Sequence, residues 1–151
     1  MEAEEFLRNV DLFEELDTAC LSYLAAKLQL VSLPEGPLVR KGDPGDAMYI
    51  VKSGVATVTT SSESGRMGVA LALLKQGDSF GEVALIDGMP RTADVNISQQ
   101  MECYKLARED FQTALIEHPE IARALLPRLA VYIRRADAWV TDFLDKMGGK
   151  R

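Results

Sequence analysis

From Gln29 to about Ala107 the apolar residues recur with a period of two, and Gly, Pro or Asp interrupts the pattern every few residues. A helical chain cannot use such a pattern, whereas short half-buried strands joined by tight turns can. The β-rich runs fall at 29–33, 38–41, 47–52, 56–60, 69–74, 79–80, 93–97 and 101–106. About eight short runs with hairpin signals between them predict an antiparallel barrel or jelly roll.

Both flanks read as helices. Phe6, Leu7 and Val10 lie at helical spacing behind acidic residues that favour a first turn. Asp17 is placed to cap a second helix over 18–28, with Leu21, Leu24, Ala25 and Leu28 as its buried face. After the strands, 108–117 predicts a helix that His118-Pro119 breaks, and a long helix follows over 120–146. Pro127 lies inside that helix, so a kink and hinge are expected at 124–127. The expectation is an α+β, mainly β fold in a single domain over 1–151. Its helices, 1–28 and 108–147, flank an eight-stranded antiparallel jelly-roll barrel at 29–107. At 151 residues such a domain buries ~70% of its unfolded surface and needs no disulfide scaffold.

Within the barrel, residues 80–95 read FGEVALIDGMPRTADV and carry the chemistry. Gly81 lacks a Cβ, so a ligand can approach the backbone closely. The segment 82–86 is long enough for one helical turn, whose first amides have no partner within the helix and suit an anion. Asp87-Gly88-Met89-Pro90 ends that turn and returns the chain toward its start. Arg91 then offers a planar fork of donors to two phosphate oxygens. Glu82 would repel a phosphate unless it faced a donor such as a ribose hydroxyl. Phosphate plus ribose means a nucleotide, and one arginine with a few amides balances about one negative charge. A triphosphate would call for a Lys and a metal-holding hydroxyl in a Gly-rich loop, which the sequence does not have.

This stretch resembles the phosphate-binding cassette of cyclic-nucleotide-binding domains, found in kinase regulatory subunits, cation channels and catabolite-activator proteins. LVRKGDPGDAMYIVKSGVATV, at 38–58, resembles the same family's glycine-punctuated barrel strands. The resemblance implies that Glu82 holds the ribose 2′-hydroxyl and Arg91 the cyclic phosphate. Amides of Gly81, Glu82, Ala84 and Ala93, with the Thr92 hydroxyl, would complete a cradle that also contains Val83. It implies that Val69 and Leu71 lie beside the purine, although both also suit a barrel core. The family's base-capping position falls near Arg135 and Trp139, and Trp139 suits equally a place in the core or in a helix pair between subunits.

Other classes are excluded by composition. A net charge of -6 opposes nucleic acid as a partner, since affinity there rests on clustered Lys and Arg. The single histidine, His118, removes a metal-dependent jelly-roll enzyme and a His-assisted nucleophile, and no catalytic or metal-ligating residue is assigned. Two carboxylates in Asp43-Pro44-Gly45-Asp46 are too few for calcium, so this is read as a plain turn. Cys20 and Cys103 read as buried free thiols. No apolar run approaches the ~18 residues of a membrane span and no signal segment opens the chain, so a cytoplasmic protein is expected.

In the last helix Leu129, Tyr132, Ala136, Trp139 and Phe143 form one apolar stripe, and Ile133, Val140, Leu144 and Met147 form a second. One stripe seats the helix on the barrel, and the other is left for the base, a sister subunit or an effector. The chain then ends at Gly148-Gly149-Lys150-Arg151, with no room expected for a DNA-reading helix pair. The polar stretch 61–68 is expected to be a hairpin loop without chemistry. The expected function is a stand-alone cyclic nucleotide receptor that needs no cofactor and signals through its last helix. Its expected ligand is cAMP, with cGMP and cyclic dinucleotides as alternatives. The competing reading is a constitutive dimerisation module with a vestigial or altered pocket.

Overall fold

The computed structural model describes residues 2–60 and 69–148. The expected loop at 61–68 and the last three residues lie outside them. In chain order the elements begin with helix α1 (Glu2–Arg8), a 3-10 turn (Asp11–Phe13) and helix α2 (Thr18–Ala25). Strands β1 (Gln29–Leu33), β2 (Gly36–Val39), β3 (Ala47–Thr60), β4 (Val69–Leu74) and β5 (Ser79–Phe80) follow. Helix α3 (Glu82–Asp87), strand β6 (Asp94–Ala107) and helices α4 (Arg108–Glu117) and α5 (Pro119–Gly148) complete the chain.

The eight runs of the sequence fall on six strands, because two pairs of runs are continuous. Residues 47–52 and 56–60 join as β3 through irregular pairing between Val51 and Ala56. Gly54 makes this bend feasible: its φ is +93°, and a Cβ there would collide with the Gln100 carbonyl. Across the ladder, 93–97 and 101–106 likewise merge into β6. β3 and β6 pair antiparallel from Ala47 opposite Ala107 to Thr59 opposite Asp94. β1 and β2 both pair with β6, while β4 and β5 both pair with β3.

This is a curled antiparallel sheet of jelly-roll type. Val39 of β2 and Leu74 of β4 lie on opposite flanks of the central pair, yet they share one buried cluster with Val51, Ala56, Val95, Ile97 and Cys103. Among the described residues no ladder joins β1 to β4, so hydrogen bonding does not close the ring.

The other face of the central pair carries the helices. Met48 and Ile50 of β3 and Leu106 of β6 are fully buried against Leu7, Leu12, Phe13, Leu21, Leu24, Phe111 and Ile121. Each such side chain contributes ~1.5–3 kcal/mol of apolar burial. Leu85 of α3 belongs to this helical cluster, so the short helix between the strands is pinned from the helical side. Asp17 caps α2 as expected, accepting from the Cys20 amide at 2.8 Å. Cys20 and Cys103 are free and buried, and burial pushes each thiol up to about 11. His118 ends α4 and pairs through Nδ1 with Glu120 at 2.9 Å.

The last helix departs from expectation in its seating. α5 is continuous through Pro127, because a proline removes only one bond, here to the Arg123 carbonyl, and the flanking turns remain helical. Ile121 and Leu125 are buried, and Leu129 and Tyr132 pack partly against the helical cluster. From Ile133 onward every described residue is exposed. Only the first half of the expected seating stripe therefore meets the body of the protein. No helix among the described residues is long and apolar enough to cross a membrane.

Candidate functional site

β5 pairs with β3 through Tyr49 opposite Phe80, whose rings stack at 5.1 Å, and so delivers the chain to Gly81. Gly81 has φ +90°, a left-handed conformation that side-chain-bearing residues rarely adopt. α3 starts there, and its first helical bond runs from the Leu85 amide to the Gly81 carbonyl at 3.1 Å. The amides of Glu82, Val83 and Ala84 precede that bond and have no partner within the helix. α3 ends at a second left-handed glycine, Gly88, with φ +67°, whose amide bonds the Ala84 carbonyl at 2.7 Å. The Met89 amide then donates to Asp87 Oδ1 at 2.9 Å, tightening the exit turn.

The backbone of Arg91 is held on both sides of its Cα. Its amide donates to the Asp43 carbonyl and its carbonyl accepts from the Gly42 amide, each at 2.8 Å. The turn at 40–43 is itself closed by the Arg40 amide donating to Asp43 Oδ2 at 2.8 Å. Arg91 Nη2 donates to the Ala47 carbonyl at 2.6 Å, which orients the guanidinium. Its Nε is buried without a partner.

Glu82 is the complementary orphan, since its Oε1 is buried and accepts no hydrogen bond. Burial pushes its carboxyl above the ordinary carboxylate range, against a bond from Ser79 and the Arg91 charge, which pull it down. Native proteins seldom leave such groups unpaired, so Glu82 Oε1 and Arg91 Nε are atoms of this site with bonding capacity left over. Both residues line one cavity of about 260 Å³, walled by Val39, Val58, Phe80 and Val95. That volume is slightly below the ~300–1,000 Å³ of typical small-molecule sites. It is suited to a sugar-phosphate more than to a whole nucleotide.

Residues 32–118 match the cyclic nucleotide-binding domain family. The chain belongs to that family. It is 28% identical over 142 residues to a CRP-like cAMP-activated global transcriptional regulator of Mycobacterium tuberculosis, covering 93% of this chain and 63% of that protein. It is 39% identical over 112 residues to a cAMP-dependent protein kinase regulatory subunit of Yarrowia lipolytica, covering 73% of this chain and 28% of the subunit. Among solved structures, the N-terminal domain of a transcriptional regulator from Streptomyces coelicolor A3(2) superposes with TM-score 0.77 at 34% identity. That match covers 88% of this chain and 95% of the other. The chain thus spans less than two thirds of the curated relatives it matches.

As a cyclic nucleotide-binding domain, the chain gathers most of the residues its sequence singled out. Gly81, Glu82, Val83, Ala84, Arg91, Thr92 and Ala93 all line the one cavity. Val69 and Leu71 lie on β4, but their side chains fall outside the described residues. Arg135 is exposed and lies 3.8 Å from Asp11. Trp139 is 67% exposed and stacks on Phe143. Neither Arg135 nor Trp139 lines the cavity in this arrangement, because α5 leaves the body after Tyr132.

Three contributors were not singled out from sequence. The Ala47 carbonyl orients Arg91, and as a backbone atom it leaves no trace in residue type. Ser79 reaches Glu82 from the end of β5. Tyr132 lines a second cavity, of about 450 Å³, which shares Glu82 with the first. The sequence had placed Tyr132 in an apolar stripe, and only its hydroxyl hinted at a polar neighbourhood.

Proposed function

We propose that this chain is a cyclic nucleotide receptor that takes cAMP in preference to cGMP and changes no bond in it. The observation that carries the reading is that two residues with unpartnered buried atoms, Glu82 at Oε1 and Arg91 at Nε, line the same cavity. A ribose hydroxyl fits the first and a singly charged cyclic phosphate the second, with the amides before Leu85 and the Thr92 hydroxyl completing the cradle. The preference for cAMP draws on two relatives whose names specify cAMP.

The same reading assigns the signal to α5. Tyr132 lines the second cavity, which shares Glu82 with the first, and the helix beyond it is exposed. Ligand can shift that helix only by binding one of its positions more tightly. Val69 and Leu71, with Arg135 or Trp139, are the candidates for the base. Two buried free thiols accord with a cytoplasmic protein.

Calorimetric titration with cAMP, cGMP, a cyclic dinucleotide and AMP, followed by product analysis, tests this. Saturable binding of a cyclic mononucleotide that is recovered intact is expected. Heat with AMP alone, or recovery of hydrolysed ligand, would overturn the reading.

A second reading is favoured by one observation. Ile133, Trp139, Val140, Phe143, Leu144 and Met147 leave a continuous apolar face on the distal half of α5, the kind of face that in soluble proteins marks an interaction surface. Constitutive dimerisation through it, with no ligand response, predicts a dimer by sedimentation at every nucleotide concentration. An effector protein at the same face predicts a monomer. DNA binding is not part of either reading, and mixed-sequence duplex at low salt, with and without cAMP, is its most permissive trial.

A further inference from the structure

Gly88 closes α3 with φ +67°, and a Cβ placed on it would stand 2.8 Å from Cζ and 2.9 Å from Nε of Arg108. The guanidinium of the first residue of α4 therefore lies flat against the glycine that turns the chain from α3 toward Arg91. Arg108 is held there by its own backbone, whose amide donates to the Asp46 carbonyl at 2.8 Å. Its Nε is buried and unpartnered, and the guanidinium packs against the Gly88 backbone. From another neighbour, Gly45 presses on Ala84 and on the Met89 carbonyl so closely that a Cβ there would overlap both. The C-terminal end of α3 is thus confined by Arg108 and by the 43–46 turn.

We propose that Arg108 is a positioning residue for the nucleotide site, acting through Gly88 on the exit turn that carries Arg91. The inference rests on the receptor reading above and adds to it a physical link between the cassette and the start of the C-terminal helices. Two residues separate Gly88 from Arg91, so a shift at the end of α3 is passed along Met89-Pro90 with little slack, Pro90 having a fixed φ. Leu85 shares a buried cluster with Phe111 and Ala114 of α4, so α3 packs on α4 there as well as at Gly88. A planar guanidinium fits the bare glycine backbone, where a lysine ammonium would offer only a point charge on a flexible stem.

The test is a double-mutant cycle read on cAMP affinity, with amide exchange of the unliganded full chain beside it. Arg108→Ala is expected to raise the cAMP dissociation constant about tenfold, and Arg108→Lys to restore less than half of that loss on a logarithmic scale. Gly88→Ala drives a methyl into the guanidinium, so adding Arg108→Ala to it should relieve the collision. The double variant should then bind no worse than Gly88→Ala alone. In the unliganded Arg108→Ala protein, exchange should quicken over 84–91 while the buried first turns of α5 keep their protection. Losses that multiply in the double variant, or exchange that rises throughout the chain, would overturn the proposal. If the wild type binds neither cAMP nor cGMP, the receptor reading fails. The exchange pattern over 84–91 still decides whether Arg108 holds the exit turn.

Discussion

Gly81 and Arg91 share one space: a Cβ on Gly81 would stand 2.5 Å from Nη1 of Arg91 and 2.7 Å from the Ala47 carbonyl oxygen. That carbonyl is the acceptor that orients the same guanidinium. Gly81→Ala should therefore weaken nucleotide binding by displacing the arginine, without touching any ligand atom. It should also destabilise the free protein by about 1–3 kcal/mol, since φ +90° is strained for alanine. Chemical denaturation and calorimetry on the same sample check both effects, and an unchanged affinity would separate Gly81 from Arg91.

Arg91→Ala should remove useful affinity while leaving the fold in place. Taking one partner from a desolvated ion pair costs ~3–5 kcal/mol, or roughly two to four decades in dissociation constant. Wild-type affinity in that variant, with the free protein melting normally, would sink the cassette assignment.

Glu82→Gln should act in two directions. Burial holds the folded carboxyl above its ordinary value of 4.5. Between that value and the raised one, the folded state carries more protons than the unfolded chain, and stability falls as the pH rises. At neutral pH the free Glu82→Gln protein should accordingly melt higher than wild type, and the gain should vanish as the pH is lowered toward 4.5. Its loss of cAMP affinity should be absent for the 2′-deoxy analogue. Equal losses for ribose and deoxyribose ligands would show that Glu82 does not face the hydroxyl.

Trp139, the only tryptophan, should report the distal half of α5. At 67% exposure it starts in water, so closure over the base should shift its emission to shorter wavelength, saturably with cAMP. Truncation after Arg128 should then weaken binding and spare the phosphate contacts. Saturated protein with unchanged emission, together with full affinity in the truncated chain, would rule out the lid.

The cassette was legible in sequence because its constraints are local. Gly81, Gly88 and Pro90 each answer to a particular backbone demand, and Glu82 and Arg91 are charges that a barrel interior would not otherwise hold. The division of strands was less legible. Ser53-Gly54 reads as a gap between two strands, whereas the ladder continues across it with a bulge, since pairing with β6 is decided by the partner strand. The course of α5 was least so. Two apolar stripes state that surface must be covered, but not by what, and Tyr132 marks the point where cover from the chain's own body ends. Arg108 gave no signal at all, because the glycine it packs against lies twenty residues earlier.

β3 and β6 form a party wall between two apolar interiors. Met48 and Ile50 support the helical side of β3, and Val51 and Ala56, a few residues on, support the side enclosed by the sheet. Neither interior can lose its packing without stripping the wall of the other, so the helical layer has no independent melting transition. Calorimetry should show a single endotherm whose van't Hoff and calorimetric enthalpies agree. Proteolytic nicking that frees the helices should likewise leave a sheet that aggregates instead of a smaller folded domain.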